Sequence, residues 1–343
     1  MSSAPPAGRT VNTVHTVHTV NPVHTVLGPV PAESLGVVAV HEALLSVVPG
    51  AQYAYDISFD RAEIFAAIVA QVRAFKAAGG GTIVDSTGMF HGRDLSLLEA
   101  LSRATGIHIV ASTGMGPEET LGGYFLTPQT NPPTPWPAEK FADLFAKEIS
   151  EGMVVPRLER RAPAGLVATE ADRGGMTATE ESLFRGGARA AQATGVPLSI
   201  RFGADAAHDL DIVLDEGLPA DRVVVGGLDR RDAVAAGMPH AVAARGAYLA
   251  IDHVGRTDDE HLSDDERVAL VIELVRAGHV DRILLSSNSI GVAKGHSADE
   301  VTFSAVLATF VPRLRAAGVG EADLHRILVT NPADLLTVRA SEG

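Results

Sequence analysis

Eight short apolar runs punctuate the chain, and each ends in polar residues. They are VVAVHEALL (Val37–Leu45), TIVDSTG (Thr82–Gly88), HIVASTG (His108–Gly114), AGLVATE (Ala164–Glu170), PLSIRFG (Pro197–Gly203), RVVVGG (Arg222–Gly227), AYLAIDHVG (Ala247–Gly255) and RILLSSN (Arg282–Asn288). Amphipathic, Ala-rich stretches separate them. Strands alternating with helical patterns predict parallel pairing through right-handed crossovers. Eight such units are the number that closes an α/β (β/α)8 TIM barrel, whose chemistry sits at the C-terminal ends of the strands.

The intervening stretches carry helix signals. Asp60–Ala78 places Ile64, Ala67, Ile68, Val72 and Phe75 close to a 3.6-residue period, and Gly79-Gly80-Gly81 ends it with left-handed backbone. A helix follows from Asp94. Thr177–Thr194 opens with Thr177 and Glu180 at capping-box spacing and closes at Gly195. Asp264–Ala277 and Glu300–Ala317 predict the last long barrel helices, Glu321–Leu328 a short extra one, and Asn331–Leu336 the end of the fold. Met115–Ala138 is the longest irregular stretch. It holds six prolines from Pro117 to Pro137 and the only tryptophan, Trp136. A loop of this length predicts a lid over the barrel mouth or a subunit contact, with Trp136 as a candidate substrate-binding residue.

The domain reading is a single barrel over residues 27–338. A His/Thr/Val-repeat extension at residues 1–26, expected to be disordered, precedes it, and a tail at 339–343 follows. His15, His18 and His24 recur in that repeat. A metal-binding His tract is one reading of it and a low-complexity tail the other, and the lack of a rigid frame favours the tail. The 343 residues are 46% apolar, enough for a large core, and carry a formal charge of −14. That balance disfavours nucleic acid and anionic membrane as partners. With no cysteine, disulfides, thiolate metal sites and a cysteine nucleophile are excluded. No run of 18 apolar residues predicts a membrane span, and the start lacks the pattern of a secretory signal. The expectation is a cytoplasmic protein acting on a small molecule, possible as a homodimer. No Gly-x-Ser-x-Gly elbow, P-loop or GxGxxG stands in the right context.

The order of segments resembles the phosphotriesterase family of the amidohydrolase superfamily. The resemblance rests on LGPVPAESLG before a His-Glu pair, IVDSTGMFHGRDLSLLEALSRATGIHIVASTG, AGLVATE, TGVPLSIRFG, DRVVVGGLDRRD, ARGAYLAIDHVG, DRILLSSNS and VPRLRAAGVGEADLHRILVTNPADLL. It runs from about Val26 to Leu336. Such a resemblance implies a barrel with two divalent metals at its mouth. The implied ligands are a His-x-His pair on strand one, a carboxylated lysine or glutamate on strand four, a histidine ending each of strands five and six, and an aspartate ending strand eight. Here His41 alone keeps its ligand. The other positions hold Ala43, Ala168, Arg201, Gly227 and Asn288. Ala and Gly offer no donor, Arg brings a repelling charge, and a tight site needs three or four donors. The expectation is therefore no metal and no cofactor.

The residues left at the mouth are His41, Glu170, Arg201, His253 and Asn288. Arg201 ends strand five beside strand four, so Glu170 and Arg201 are within reach of each other. Arg201 is read as the holder of an anion or a developing oxyanion, or as half of a structural ion pair. His41 or His253 is the candidate acid/base, Glu170 an orienting or basic carboxylate, and Asn288 a substrate-binding residue or a strand cap. Asp85, Ser86 and Thr87 read as structural. His91, His208 and His296 offer a route to a rebuilt metal site with His41 or His253. Two classes stay open: a metal-independent enzyme (lyase, cyclase, isomerase or hydrolase), and a non-catalytic descendant that binds a ligand or partner. A metal-dependent hydrolase with a rebuilt site is a third possibility.

Overall fold

The computed structural model of the chain describes residues 22–121, 136–155, 159–298 and 300–339. Strands β1 (Pro22–Thr25) and β2 (Gly28–Pro31) form an antiparallel hairpin. Then come β3 (Val37–Val47), β4 (Gly80–Asp85) and β5 (His108–Thr113), and a small antiparallel pair, β6 (Val154–Val155) with β7 (Glu159–Arg160). β8 (Leu166–Glu170), β9 (Leu198–Arg201), β10 (Val223–Gly226), β11 (Tyr248–Ile251), β12 (Ile283–Leu285) and β13 (Ile290–Lys294) complete the set. The main sheet runs β12-β11-β10-β9-β8-β5-β4-β3-β13, parallel throughout. β12 and β13 are the two halves of the eighth strand, one pairing with β11 and the other with β3. The sheet therefore closes on itself as the expected eight-stranded barrel, and each of the eight apolar runs holds one of its strands.

Side-chain alternation sorts the strands into two layers. Ile83, Ile109, Val167, Ile200, Val225, Leu249 and Ile283 point outward to the helices, where they join the main core. Val84, Val110, Leu166, Val224, Ala250 and Leu284 point inward and fill the floor of the lumen with Val38 and Val40. Above that floor the inward positions turn polar: Ser199 and Arg201, Gly226, Asp252. Strand β3 breaks the alternation. Its register against β4 shifts between Ala39 and Glu42, and beyond that irregularity His41 and Ala43 take over the inward side from Val40. Bulges re-aim side chains in this way near sites.

The helices start where short side chains can cap them. Asp60 accepts from the N–H groups of Ala62 and Glu63 ahead of helix Arg61–Ala77, and Asp94 from Leu97 ahead of Leu95–Thr105. Capping boxes open Ala178–Thr194 (Thr177 with Glu180) and Asp264–Arg276 (Ser263 with Glu266). Gly195 ends its helix at φ 78°, where an added Cβ would meet the Arg339 carbonyl.

Three expectations need correction. The end of the repeat belongs to the fold: Val23 and Val26 are buried, Val26 N–H donates to Ile109 O (2.9 Å), and His24 Nδ1 lies 3.0 Å from Ala164 O. The ordered chain therefore starts before Leu27, and His15 and His18 lie outside the described residues. The helix expected from Glu300 starts at Val306, with a wide turn (Val306–Phe310) ahead of Val311–Ala316. The short helix expected at Glu321–Leu328 does not stop there: Glu321–His325 runs through a wide turn at Arg326–Thr330 into Asn331–Leu336. Each wide turn precedes a proline, Pro312 or Pro332, which brings no N–H to the helical ladder. Most of the stretch expected as a lid, 122–135, lies outside the described residues. Among the described residues no helix is long and apolar enough to cross a membrane.

Candidate active site

The polar layer is built by strands that are not neighbours. Asp252 follows β11, His41 lies on β3 and Ser199 on β9, and their side chains meet across the lumen. His41 Nδ1 is 2.9 Å from Asp252 Oδ2, and His41 Nε2 is 2.9 Å from Ser199 Oγ. Asp252 is itself fixed by the Gly227 N–H, which donates to Oδ1 at 2.8 Å. Burial opposes its charge, but His253, Arg201 and the His41 hydrogen bond outweigh burial and hold the carboxyl far below the usual range. Its anion fixes one ring proton: His41 Nδ1–H donates to Asp252, and in the neutral ring Nε2 is then the acceptor for the Ser199 hydroxyl. Gly226 on β10 makes room for this line. A Cβ there would stand 2.9 Å from Asp252 Oδ2, 3.3 Å from His41 Cε1 and 3.4 Å from Arg201 Cγ.

A cavity of about 380 Å³ opens above this layer. Ser199, Arg201, Glu170, Asn288, His91 and His296 are among its walls. Arg201 Nη2 donates to Asn288 Oδ1 at 2.7 Å and lies 3.4 Å from Asp252 Oδ2. Its Nε and Nη1 make no hydrogen bond to a described residue, and the side chain is 22% exposed. Burial disfavours the guanidinium charge, but Asp252, Glu170, Asp229 and Glu42 together raise its pKa. Asn288 sits at φ 48°, a left-handed conformation that asparagine tolerates better than most residues, at the break between β12 and β13.

Of the two readings of Arg201, the Glu170–Arg201 ion pair does not form. The two residues are register partners on β8 and β9, yet Arg201 turns toward Asp252 and Asn288, the more buried anion and a fixed acceptor. Glu170 is left facing the cavity without a hydrogen-bond partner among the described residues.

His41 and His253 are both buried and neither is a cavity wall. His41 reaches the cavity only through Ser199. His253 is drawn to the other side: Nδ1 is 2.7 Å from Asp229 Oδ1 and 3.3 Å from Asp252 Oδ1, and its ring lies 3.9 Å from that of His261. Asp229 also accepts from the His253 N–H (3.0 Å) and from Arg267 Nε (2.7 Å). Trp136, expected to touch substrate, is not a wall either. Its ring packs on Phe141 at 5.5 Å, with Lys140 Nζ 3.6 Å over its face.

Of the three loop histidines, His208 is exposed beside its helix cap, away from the cavity. His91 and His296 do line it. His91 Nε2 lies 2.8 Å from Gly116 O, and burial lowers its pKa. His296 Nε2 lies 2.9 Å from Ser46 Oγ. Among the described residues, Asp229, Asp252 and His253 are the group of three whose donor atoms lie within 4.8 Å of one another. The loop histidines form no such group.

Sequence reasoning missed Ser199 and Glu42. Ser199 shares a strand face with Arg201, and period two was the signal that could have found it. Glu42 is buried and holds the broken eighth strand: its carboxylate accepts from Ser286 Oγ (2.7 Å), Ser287 N (3.2 Å) and Ser289 N (2.6 Å). Burial raises its pKa to about 7 against those hydrogen bonds. Asp85 plays a similar part, accepting from Leu44 N at 2.8 Å and from the Thr87 hydroxyl.

Known proteins of the same kind are recognisable along nearly the whole chain. The family model described as "Phosphotriesterase family" matches residues 21–336. A "Phosphotriesterase homology protein" of Mycobacterium tuberculosis is 28% identical over 322 residues, covering 90% of this chain and 95% of that protein. An "Aryldialkylphosphatase" of Saccharolobus solfataricus is 27% identical, covering 88% of this chain and 95% of its own length. Among solved structures, a point mutant of the organophosphorus hydrolase from Deinococcus radiodurans superposes with a TM-score of 0.81 at 25% identity, covering 92% of this chain and 97% of that one. The chain belongs to the phosphotriesterase family.

Proposed function

We propose that this chain is an enzyme that works without a metal, carrying out acid/base chemistry on a small anionic or carbonyl-bearing molecule held by Arg201. Arg201 carries the reading. Asn288 and Asp252 fix one edge of its guanidinium, and Nε and Nη1 have no hydrogen-bond partner among the described residues, beside a cavity of about 380 Å³. A cation aimed and only partly satisfied in this way offers two donors to a carboxylate or to a developing oxyanion.

The residues present do not fit the family's pair of metals. Ala43 and Ala168 have no donor atoms, the Arg201 charge stands where a strand-five histidine would, and Asn288 Oδ1 is already taken by that guanidinium. Both nitrogens of His41 are engaged by Asp252 and Ser199. The buried cluster of Asp229, Asp252 and His253 is likewise satisfied from within, by Arg267, Gly227 and its own members. A cation there would have to break several internal hydrogen bonds.

In this reading His41 is the acid/base, wired to the cavity through Ser199 and polarised by Asp252. Glu170 is the uncommitted carboxylate that orients or deprotonates substrate or water. The names of relatives, among them the aryldialkylphosphatase and an "N-acetyltaurine hydrolase" of Tetraodon nigroviridis, favour hydrolysis over the lyase, cyclase and isomerase options.

The test is calorimetric titration of the purified chain with a panel of small carboxylates. At least one is expected to bind, and Arg201→Met is expected to weaken it by about 10- to 100-fold, the usual worth of a hydrogen bond to a charged group. Equal affinity in wild type and Arg201→Met would refute the assignment.

A further inference from the structure

We propose that Ser199 is a nucleophile, activated by His41 and Asp252, and that the substrate is a small carboxylic ester cleaved through an acyl-Ser199 intermediate. The proposal rests on the metal-independent reading above and names its reacting atom. Three observations carry it. The line Asp252 Oδ2–His41 Nδ1, His41 Nε2–Ser199 Oγ has both links at 2.9 Å, which is the order of roles in a Ser-His-Asp triad, recognised by geometry and not by sequence position. Ser199 is the member of the line that lines the cavity, with His41 and Asp252 enclosed behind it. Arg201 stands two residues further along the same face of β9, roughly 7 Å on in a strand, with two donors open to the cavity.

A structural role alone explains this arrangement poorly. A buried histidine is satisfied by one carbonyl and one hydroxyl anywhere in a core. Here the imidazole is held by an anion on one side and by a cavity-lining hydroxyl on the other. The anion is in turn fixed by a backbone N–H, and Gly226 leaves the space the line needs.

The chemistry balances without an added reagent. Ser199 Oγ attacks the ester carbonyl carbon while its proton passes to His41 Nε2. Asp252 stabilises the imidazolium, and Arg201 meets the tetrahedral oxyanion. The bond from carbon to the alcohol oxygen then breaks, and that oxygen takes the proton from His41 Nε2. Water attacks the acyl carbon and gives a proton to His41, which returns it to Ser199 Oγ as the carboxylic acid leaves. Ester and water become acid and alcohol, and nothing is oxidised or reduced.

The experiment uses the full chain dialysed against a chelator, with p-nitrophenyl acetate as substrate and an alkyl phosphonofluoridate as trap. The expected result is a burst approaching one p-nitrophenolate per chain, and a single phosphonyl adduct mapped by peptide mass spectrometry to Ser199. Ser199→Ala, which removes one oxygen and is checked for folding by its thermal midpoint, is expected to lose both. His41→Ala, with Ser199 in place, is expected to slow the adduct by about 1,000-fold or more, as loss of a triad base does. No adduct on Ser199, or unchanged labelling and burst in Ser199→Ala, overturns the nucleophile. That outcome leaves the holding of anions by Arg201 standing, because the Arg201→Met titration decides it separately.

Discussion

At the scale of the residue, burial decides which side chains can change charge. Glu42 is fully enclosed, and burial lifts its pKa from 4.5 to about 7 despite three hydrogen-bond donors. A raised carboxyl pKa means that the folded chain binds the proton more tightly than the unfolded one. This contribution is complete below pH 4.5 and is lost as pH rises through 7. The shift corresponds to roughly 3 kcal/mol. Urea unfolding at pH 5 and pH 7.5 is expected to show the wild type losing stability across that window, with a visibly flatter profile in Glu42→Gln. A profile identical in the two proteins would exclude Glu42 as its source. Asp252 has the opposite sign, since its carboxyl is depressed, and its contribution fades only in acid well below this window. Gly226 gives a second prediction at this scale. A methyl there would crowd Asp252 Oδ2 and His41 Cε1, so Gly226→Ala is expected to displace the line to Ser199 and to cost about 1–3 kcal/mol by overpacking. Thermal unfolding reads the second effect and ester turnover the first; a variant as stable and active as wild type would contradict both.

At the scale of the element, much of the chain was legible because local rules and the global fold agree. The eight apolar runs, the caps Asp60, Asp94 and Thr177, and the left-handed closures at Gly79 and Gly195 stand where period and turn chemistry put them. The misses have physical causes. Pro312 and Pro332 sit inside helices because a widened turn ahead of each absorbs the missing N–H. The phase of β3 slips between Ala39 and Glu42, so alternation counted from Val38 would point Glu42, and not His41, into the lumen. Ser199 was overlooked because strand period places a serine on the lumen face without marking it as reactive, and its partner His41 lies 158 residues away in sequence, on the opposite side of the barrel. The Glu170–Arg201 pairing was reasonable from adjacency, but adjacency does not tell which anion lies deeper. One element carries a prediction of its own. Glu180, from the capping box, also accepts from the N–H groups of Glu118 and Asp172, and so pins the start of the loop that includes the cavity walls Gly116, Pro117 and Thr120. Glu180→Ala is expected to destabilise by about 1–3 kcal/mol through unsatisfied donors. It is also expected to speed hydrogen exchange selectively at residues 116–121. Unchanged exchange there would refute the pinning role.

At the scale of the whole molecule, a closed barrel separates stability from chemistry. The apolar floor and the outer core hold the strands, and only the layer above the floor is free to vary in function. In this chain that layer holds a serine, a histidine, an aspartate and an arginine in hydrogen-bonded contact, where the family resemblance implies metal ligands. The central question is whether this layer works without metal. The direct measurement is ester turnover before and after exhaustive dialysis against chelator, with metal content followed by elemental analysis and zinc, manganese or cobalt then added back. The expected result is a chain carrying well under two equivalents of metal, turnover unchanged by chelation, and no gain on adding metal. Two bound equivalents, with turnover that disappears on chelation and returns with the metal, would contradict it.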